Sequence, residues 1–311
     1  MKVFVTRTLP GKALDRLRER GLEVEVHRGL FLPKAELLKR VEGAVGLIPT
    51  VEDRIDAEVM DRAKGLKVIA CYSVGVDHVD LEAARERGTR VTHTPGVLTE
   101  ATADLTLALL LAVARRVVEG AAYARDGLWR AWHPELLLGL DLQGLTLGLV
   151  GMGRIGQAVA KRALAFGMRV VYHARTPKPL PYPFLSLEEL LKEADVVSLH
   201  TPLTPETHRL LNRERLFAMK RGAILINTAR GALVDTEALV EALRGHLFGA
   251  GLDVTDPEPL PQDHPLYRLP NAVITPHIGS AGRTTRERMA EVAVENLLAV
   301  LEGREPPNPV V

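Results

Sequence analysis

The sequence predicts an α/β protein built from two doubly wound parallel-sheet domains. Three observations predict it. Apolar runs of strand length alternate with stretches of helical spacing; the runs fall into two series separated by a long apolar helix that begins near Thr99; and 311 residues suffice for two cores. The first series comprises 3–6, 44–48 and 68–70, and the second comprises 147–150, 170–172, 196–199, 224–226, 251–254 and 273–275. Such alternation implies helices on both faces of each sheet. A last helix is expected over 283–303. The proline-rich tail EPPNPVV that follows cannot continue a helix and is expected to lie beyond the folded part. No internal repeat or low-complexity tract suggests a third domain.

Composition narrows the function class. Lys plus Arg (40) nearly balances Asp plus Glu (39), so no basic field is available to hold nucleic acid or an anionic membrane surface. Arg7, Lys12 and Asp15 come too early to leave room for the apolar region of a signal peptide. The most apolar stretch, 105–114, is shorter than the roughly 20 residues of a membrane span, and Arg115 and Arg116 close it, so it reads as a buried helix. A single cysteine, Cys71, can form neither an intramolecular disulfide nor a thiolate cluster; it reads as a small core residue, and no metal site is expected. A reducing, cytoplasmic setting is the expectation.

The apolar strand ending at Val150 runs into Gly151-Met152-Gly153-Arg154-Ile155-Gly156, and 157–166 continues with helical spacing. A Gly-x-Gly-x-x-Gly run in that context is a dinucleotide fingerprint. The glycines allow a tight turn and close approach of backbone to a pyrophosphate, whose charge meets the amides of the helix N-terminus. An NAD-specific site carries an acidic residue about 20 positions on, for the ribose hydroxyls. No acidic residue occurs over 157–187, and the expected point reads Tyr172-His173-Ala174-Arg175-Thr176. A cation at Arg175 and a hydroxyl at Thr176 suit a 2′-phosphate, so NADP(H) is preferred and NAD(H) possible. The bland alternative is that Arg175 is a solvated charge and either cofactor serves.

In an open α/β sheet, ligands lie beyond the carboxyl ends of strands. There the sequence places His200-Thr201-Pro202, Asn227-Thr228-Ala229-Arg230-Gly231, Asp253, and Pro276-His277-Ile278-Gly279-Ser280. Hydride transfer to a 2-oxoacid needs a proton donor for the carbonyl oxygen and a cation for the carboxylate, which a histidine and an arginine supply. A neighbouring carboxylate, for which Glu258 is a candidate, favours the protonated histidine. Spacing alone does not choose His277 over His200 or His93.

Taken together, residues 72–78, 98–104, 151–156, 227–231, 253–260 and 277–280 resemble, in order, the blocks of the D-isomer-specific 2-hydroxyacid dehydrogenases, over nearly the whole chain. The resemblance implies a dinucleotide-binding domain, 98–283, inserted in a Rossmann/flavodoxin-like substrate-binding domain, 1–97 and 284–311. It implies Arg230 as the substrate cation, His277 as general acid and base, and Glu258 as its partner. Backbone amides at Val74, Gly75 and Val76 would hold the substrate carboxylate. Thr102, Gly151, Gly153, Arg154, Ile155, Gly156, Arg175, Thr176, Thr201, Pro202, Thr228, Ala229, Arg230, Asp253, His277 and Gly279 would line the cofactor, with Asp253 on the nicotinamide carboxamide. Within the family the likeness is to the glyoxylate and hydroxypyruvate reductase branch, also called glycerate dehydrogenases. In that branch a tryptophan at the position of Trp132 reaches toward the other subunit of a homodimer; the alternative is that Trp129 and Trp132 are interface or core aromatics. Two competing functions are an NAD-dependent dehydrogenase of 3-phosphoglycerate or another D-2-hydroxyacid and, from a different class, a dinucleotide-sensing interaction protein.

Overall fold

Short apolar runs become parallel strands of two separate sheets in the computed structural model, which describes residues 1–311. One unit comprises Met1–Leu98 with Ala281–Val311, and the other Thr99–Ser280.

The first unit holds β1 (Lys2–Val5), β2 (Glu23–Val26), β3 (Ala44–Ile48), β4 (Val68–Ala70) and β5 (Arg90–Thr92), in the order β2-β1-β3-β4-β5 and all parallel. Strand alternation divides the core into two layers. Phe4, Leu47 and Ile69 face α2 (Lys34–Arg40), α3 (Ala57–Arg62) and α4 (Leu81–Glu86), whereas Val3, Val5 and Val68 face α1 (Asp15–Glu19) and the C-terminal helix Arg283–Leu301. Asp56 and Asp80 start α3 and α4 by accepting the amide hydrogens of Val59 and Ala83, as short N-cap side chains do. Cys71 is fully buried, and burial pushes its thiol up to about 12, so it behaves as a core residue.

Two features correct the sequence reading of this unit. The sheet has five strands rather than three. The additional ones are β2, a half-exposed edge of alternating Glu and Val, and β5, only three residues long; neither carries an unbroken apolar run. The tail is also part of the fold. Val310 N–H donates to Val91 O (2.7 Å), Val91 N–H donates to Val311 O (3.0 Å), and Thr92 bridges Pro309 antiparallel. Prolines stop the helix but tolerate an edge, where an absent N–H is not missed, and the pairing covers the open side of β5.

The second unit carries β6 (Thr146–Val150), β7 (Arg169–His173), β8 (Val196–Leu199), β9 (Ile224–Asn227), β10 (Gly249–Leu252) and β11 (Ala272–Ile274), in the parallel order β11-β10-β9-β8-β6-β7. Leu147 and Leu149 face α5 (Thr99–Ala114) and α7 (Arg154–Ala165); Val150 and Val197 face α8 (Leu187–Glu193), α9 (Arg213–Ala218) and α10 (Thr236–Leu243). The apolar stretch 105–114 lies within α5, whose Leu107, Leu109, Leu110 and Val113 are buried. No helix is long and apolar enough to cross a membrane. α6 (Val117–Arg125) buries none of its residues. Strand order reverses at β6, which has β7 on one side and β8 on the other, so the loop after β6 opens at the switch point where open α/β sheets bind ligands.

Deleting 309–311 removes the pairing with β5 and partly buried valines. It should cost about 1–3 kcal/mol in urea denaturation, with the loss confined to the unit containing β5.

Candidate active site

The turn after β6 is built by contacts no side chain could share. Gly151 has φ +100°, and a Cβ there would lie 2.4 Å from His200 O; a Cβ on Gly156 would lie 2.3 Å from Gly151 O. Gly153 differs. It caps α7 in an extended conformation open to any residue, and beyond its immediate chain neighbours nothing lies within 4 Å of where its Cβ would stand. Packing therefore explains the first and third glycines but not the second, which instead leaves space above the N-terminal amides of α7. That is the space a pyrophosphate fills, and the cradle fits a dinucleotide. Thr201 adjoins Gly151 across the switch point, its N 2.8 Å from that same hypothetical Cβ. Ile155 is half-buried beside the turn, while Arg154 and Pro202 are exposed.

β7 leads to Ala174, Arg175 and Thr176, and both latter side chains are exposed. The segment beyond them returns to the strand, because the buried Tyr172 hydroxyl accepts Lys178 N–H (2.7 Å) and lies 3.1 Å from Lys178 O. Arg175 is thus offered to solvent from a braced loop; a hydrogen bond with Thr204 chiefly holds the nearby Glu206 carboxyl below its usual range, with a smaller contribution from the Arg175 charge.

The remaining candidates gather at the carboxyl edge of β9, β10 and β11. Asp253, 1% exposed, follows β10 and spans to the segment after β11: Oδ1 accepts Thr275 Oγ1–H (2.7 Å) and Ile278 N–H (2.8 Å), and Oδ2 accepts Gly279 N–H (2.7 Å). Desolvation nevertheless pushes its carboxyl above the ordinary value, against those three hydrogen bonds. Between the anchored residues His277 adopts φ +52°, a left-handed conformation uncommon for a side chain with a Cβ. Its amide, within 3.0 Å of Asp253 O, keeps it there.

So held, His277 Nδ1 lies 2.5 Å from Glu258 Oε1, with 32% and 35% of the two side chains accessible. Burial alone would raise the Glu258 carboxyl. The hydrogen bond and charge of His277, the Thr255 amide and the charge of Arg230 outweigh it and leave the carboxyl below its ordinary value. Because the folded value is depressed, the stabilisation is present above about pH 4.5 and is lost as pH falls through the lowered value. Arg230 ends the turn after β9, and its Nη1 donates to Ala229 O (2.8 Å). Gly231 lets that turn touch the residues after β10, since a Cβ there would lie 2.0 Å from the Thr255 carbonyl. Thr102 on α5 is buried and lies 3.5 Å from the position of a Cβ on Gly279.

The other histidines have different surroundings. Burial pushes the His200 ring down to about 4, so it is neutral near pH 7, and its Nε2 pairs with Ser198 Oγ at 2.8 Å. In the first unit, His93 Nδ1–H donates to Val74 O (2.9 Å), Ser73 Oγ–H donates to Gly75 O (2.7 Å) and Thr94 N–H donates to Ser73 O (2.8 Å). The segment with Val74, Gly75 and Val76 is therefore fixed within its own unit. Two contacts had no signal in the sequence: the buried Asn227 side chain closes the turn that carries Arg230, and Thr106 on α5 touches Thr228. Trp129 and Trp132 lie on the surface, 66% and 82% exposed.

A six-stranded sheet with its glycine turn at the switch point, and a histidine–carboxylate pair beside an arginine at the same edge, define a nicotinamide-dinucleotide-dependent oxidoreductase. The model of the D-isomer specific 2-hydroxyacid dehydrogenase NAD binding domain matches residues 107–279, more than half of the chain. The glyoxylate reductase of Korarchaeum cryptofilum is 49% identical over 315 residues, covering 99% of this chain and 95% of that one. That of Thermococcus litoralis is 48% identical over 318 residues, with 99% and 96% covered. Among solved structures, a Thermus thermophilus protein is 97% identical with a TM-score of 0.98, covering 100% of both chains. An NADPH-dependent glyoxylate/hydroxypyruvate reductase of Sinorhizobium meliloti, in complex with NADP and malonate, is 35% identical with a TM-score of 0.89, covering 100% of this chain and 96% of that one. The chain belongs to the D-isomer-specific 2-hydroxyacid dehydrogenase family.

The two kinds of glycine should separate on substitution. G153A should leave the thermal midpoint unchanged while weakening dinucleotide binding at least about tenfold, whereas G151A should lower stability by about 2 kcal/mol or more. Scanning calorimetry and a cofactor fluorescence titration check both; a destabilised G153A with normal binding would contradict the cradle.

Proposed function

We propose that the chain is an NADPH-preferring reductase of small 2-oxoacids, converting glyoxylate to glycolate and hydroxypyruvate to D-glycerate. The observation that carries the chemistry is the 2.5 Å pairing of His277 with Glu258. Curated relatives named glyoxylate reductase, 48% and 49% identical over 99% of the chain, support the substrate class.

In this reading Arg230 binds the oxoacid and stabilises negative charge developing on its carbonyl oxygen, while the amides at Val74, Gly75 and Val76 hold its carboxylate. His277 donates its proton to the carbonyl oxygen in reduction and takes it back in oxidation. Glu258, its carboxyl held below the ordinary range, fixes the orientation of the His277 ring through Nδ1 and leaves Nε2 for the substrate. His200 is assigned no proton transfer, since its ring is neutral, shielded and paired with the Ser198 hydroxyl.

The bound nicotinamide supplies hydride to the carbonyl carbon. Gly151, Gly153, Arg154, Ile155 and Gly156 would hold its pyrophosphate, and Thr102, Thr201, Pro202, Thr228, Ala229, Asp253 and Gly279 the remainder. Asp253 retains acceptor capacity for a carboxamide beyond its three intramolecular bonds. Arg175 and Thr176 favour a 2′-phosphate. A homodimer is the assembly we propose, supported by the exposed Val117, Val118, Leu128, Trp129, Trp132 and Leu138 on one segment; in it Trp132 would reach toward the partner, as the resemblance implies.

The direct test is oxidation of NADPH and NADH with glyoxylate, hydroxypyruvate, pyruvate and 3-phosphohydroxypyruvate. Fast NADPH oxidation with either of the first two is expected, and R175A should reduce the preference for NADPH by about 10- to 100-fold. Preference for NADH and the phosphorylated acid would overturn the cofactor and substrate assignments while leaving the family intact. H277A should lower kcat by about 10²–10⁴-fold with cofactor affinity retained; unchanged turnover would remove His277 from the chemistry.

A further inference from the structure

The turn that carries Arg230 is closed by one side chain. Asn227, the last residue of β9, is 1% exposed, and its carboxamide grips the turn at two places. Oδ1 accepts Ala229 N–H at 3.0 Å and Nδ2–H donates to Arg230 O at 2.8 Å. A carboxamide of this length supplies an acceptor and a donor on separate atoms, as the two contacts require. An aspartate would set a second oxygen against the Arg230 carbonyl and bury a charge.

The turn is also held from the side. Thr106 Oγ1–H is directed to Thr102 O (2.8 Å), so the 3.0 Å contact between the Thr106 and Thr228 hydroxyls must be donated by Thr228. Strand, helix α5 and the Gly231–Thr255 approach thus fix the backbone of residues 227–231, and with it the root of the Arg230 side chain.

We infer that Asn227 is a positioning residue for substrate reduction, acting through Arg230, with Thr106 as its support from α5. The inference rests on the reading of Arg230 as the substrate cation. Displacing a substrate-holding group by about 1 Å costs on the order of 10²-fold in rate, which sets the size of effect to look for.

A double-mutant cycle on the full-length enzyme tests it. kcat/KM for glyoxylate with NADPH is measured for the wild type, N227D, R230K and the double variant, with NADPH affinity by fluorescence titration. N227D should lose about 10²-fold in the wild-type background and less than about threefold in R230K, because a displaced turn has little left to misplace. Every kcat/KM is taken at saturating NADPH, because Thr228 and Ala229 lie on the same turn and the variants should weaken NADPH binding as well. If N227D does not fold by circular dichroism, T106V takes its place in the same cycle, with an expected loss of about fivefold that disappears in R230K. A purely structural role predicts equal losses in both backgrounds, and that additivity overturns the inference while leaving the reading of Arg230 standing. An R230K enzyme as active as wild type overturns that reading and the inference with it.

Discussion

The in-register parallel pairing of β9, β10 and β11 is the constraint on which the site depends. Leu252 pairs with Asn227 on one side and Ile274 on the other, so Asn227, Asp253 and Thr275 reach the carboxyl edge almost level. From that level the Asp253 carboxylate reaches Thr275 and the amides of Ile278 and Gly279, and the intervening His277 has little freedom except the left-handed conformation it adopts. A slip of one residue would turn each of these side chains to the opposite face of the sheet. β9 and β10 are buried on both faces, and the close packing of Gly251 against Ile226 and Leu109 that resists such a slip also fixes the geometry of the His277–Glu258 pair.

Environment sorts like residues into unlike roles. Glu258 is stabilised as a carboxylate by a histidine, an amide and a nearby arginine, while desolvation raises the Asp253 carboxyl although it receives three hydrogen bonds. His277 faces a carboxylate, and His200 is shielded against a serine hydroxyl. Pairs of titratable groups driven apart by their surroundings are a recurrent mark of acid–base sites. Here the separation follows from which strand end each residue occupies.

The presence of two parallel sheets and the glycine turn were legible because they rest on local signals: unbroken apolar runs, helical spacing and glycines at fixed offsets. β2 escaped because Glu-Val-Glu-Val is the pattern of a half-exposed edge, and β5 because three residues carry no periodicity. The tail was misread because prolines argue against a helix and say nothing about pairing with a distant strand. Within the site, His277 and His200 occupy equivalent places in sequence, and what separates them is burial and a partner 19 residues away. The contacts of Asn227 and Thr106 were likewise invisible, since a turn and a helix 122 residues apart meet only after folding.

The tail that pairs with β5 also bears on the order in which the chain acquires structure. The unit that begins at Met1 is finished by Ala281–Val311, whereas Thr99–Ser280 is continuous. During synthesis the central unit can close as soon as its own residues leave the ribosome. The N-terminal strands meanwhile lack the C-terminal helix that covers Val3 and Val5, and the residues that cap β5. Nascent chains therefore expose one apolar sheet face until Ala281–Val311 has emerged and packed, and that interval is when a chaperone or a neighbouring nascent chain has something to grasp.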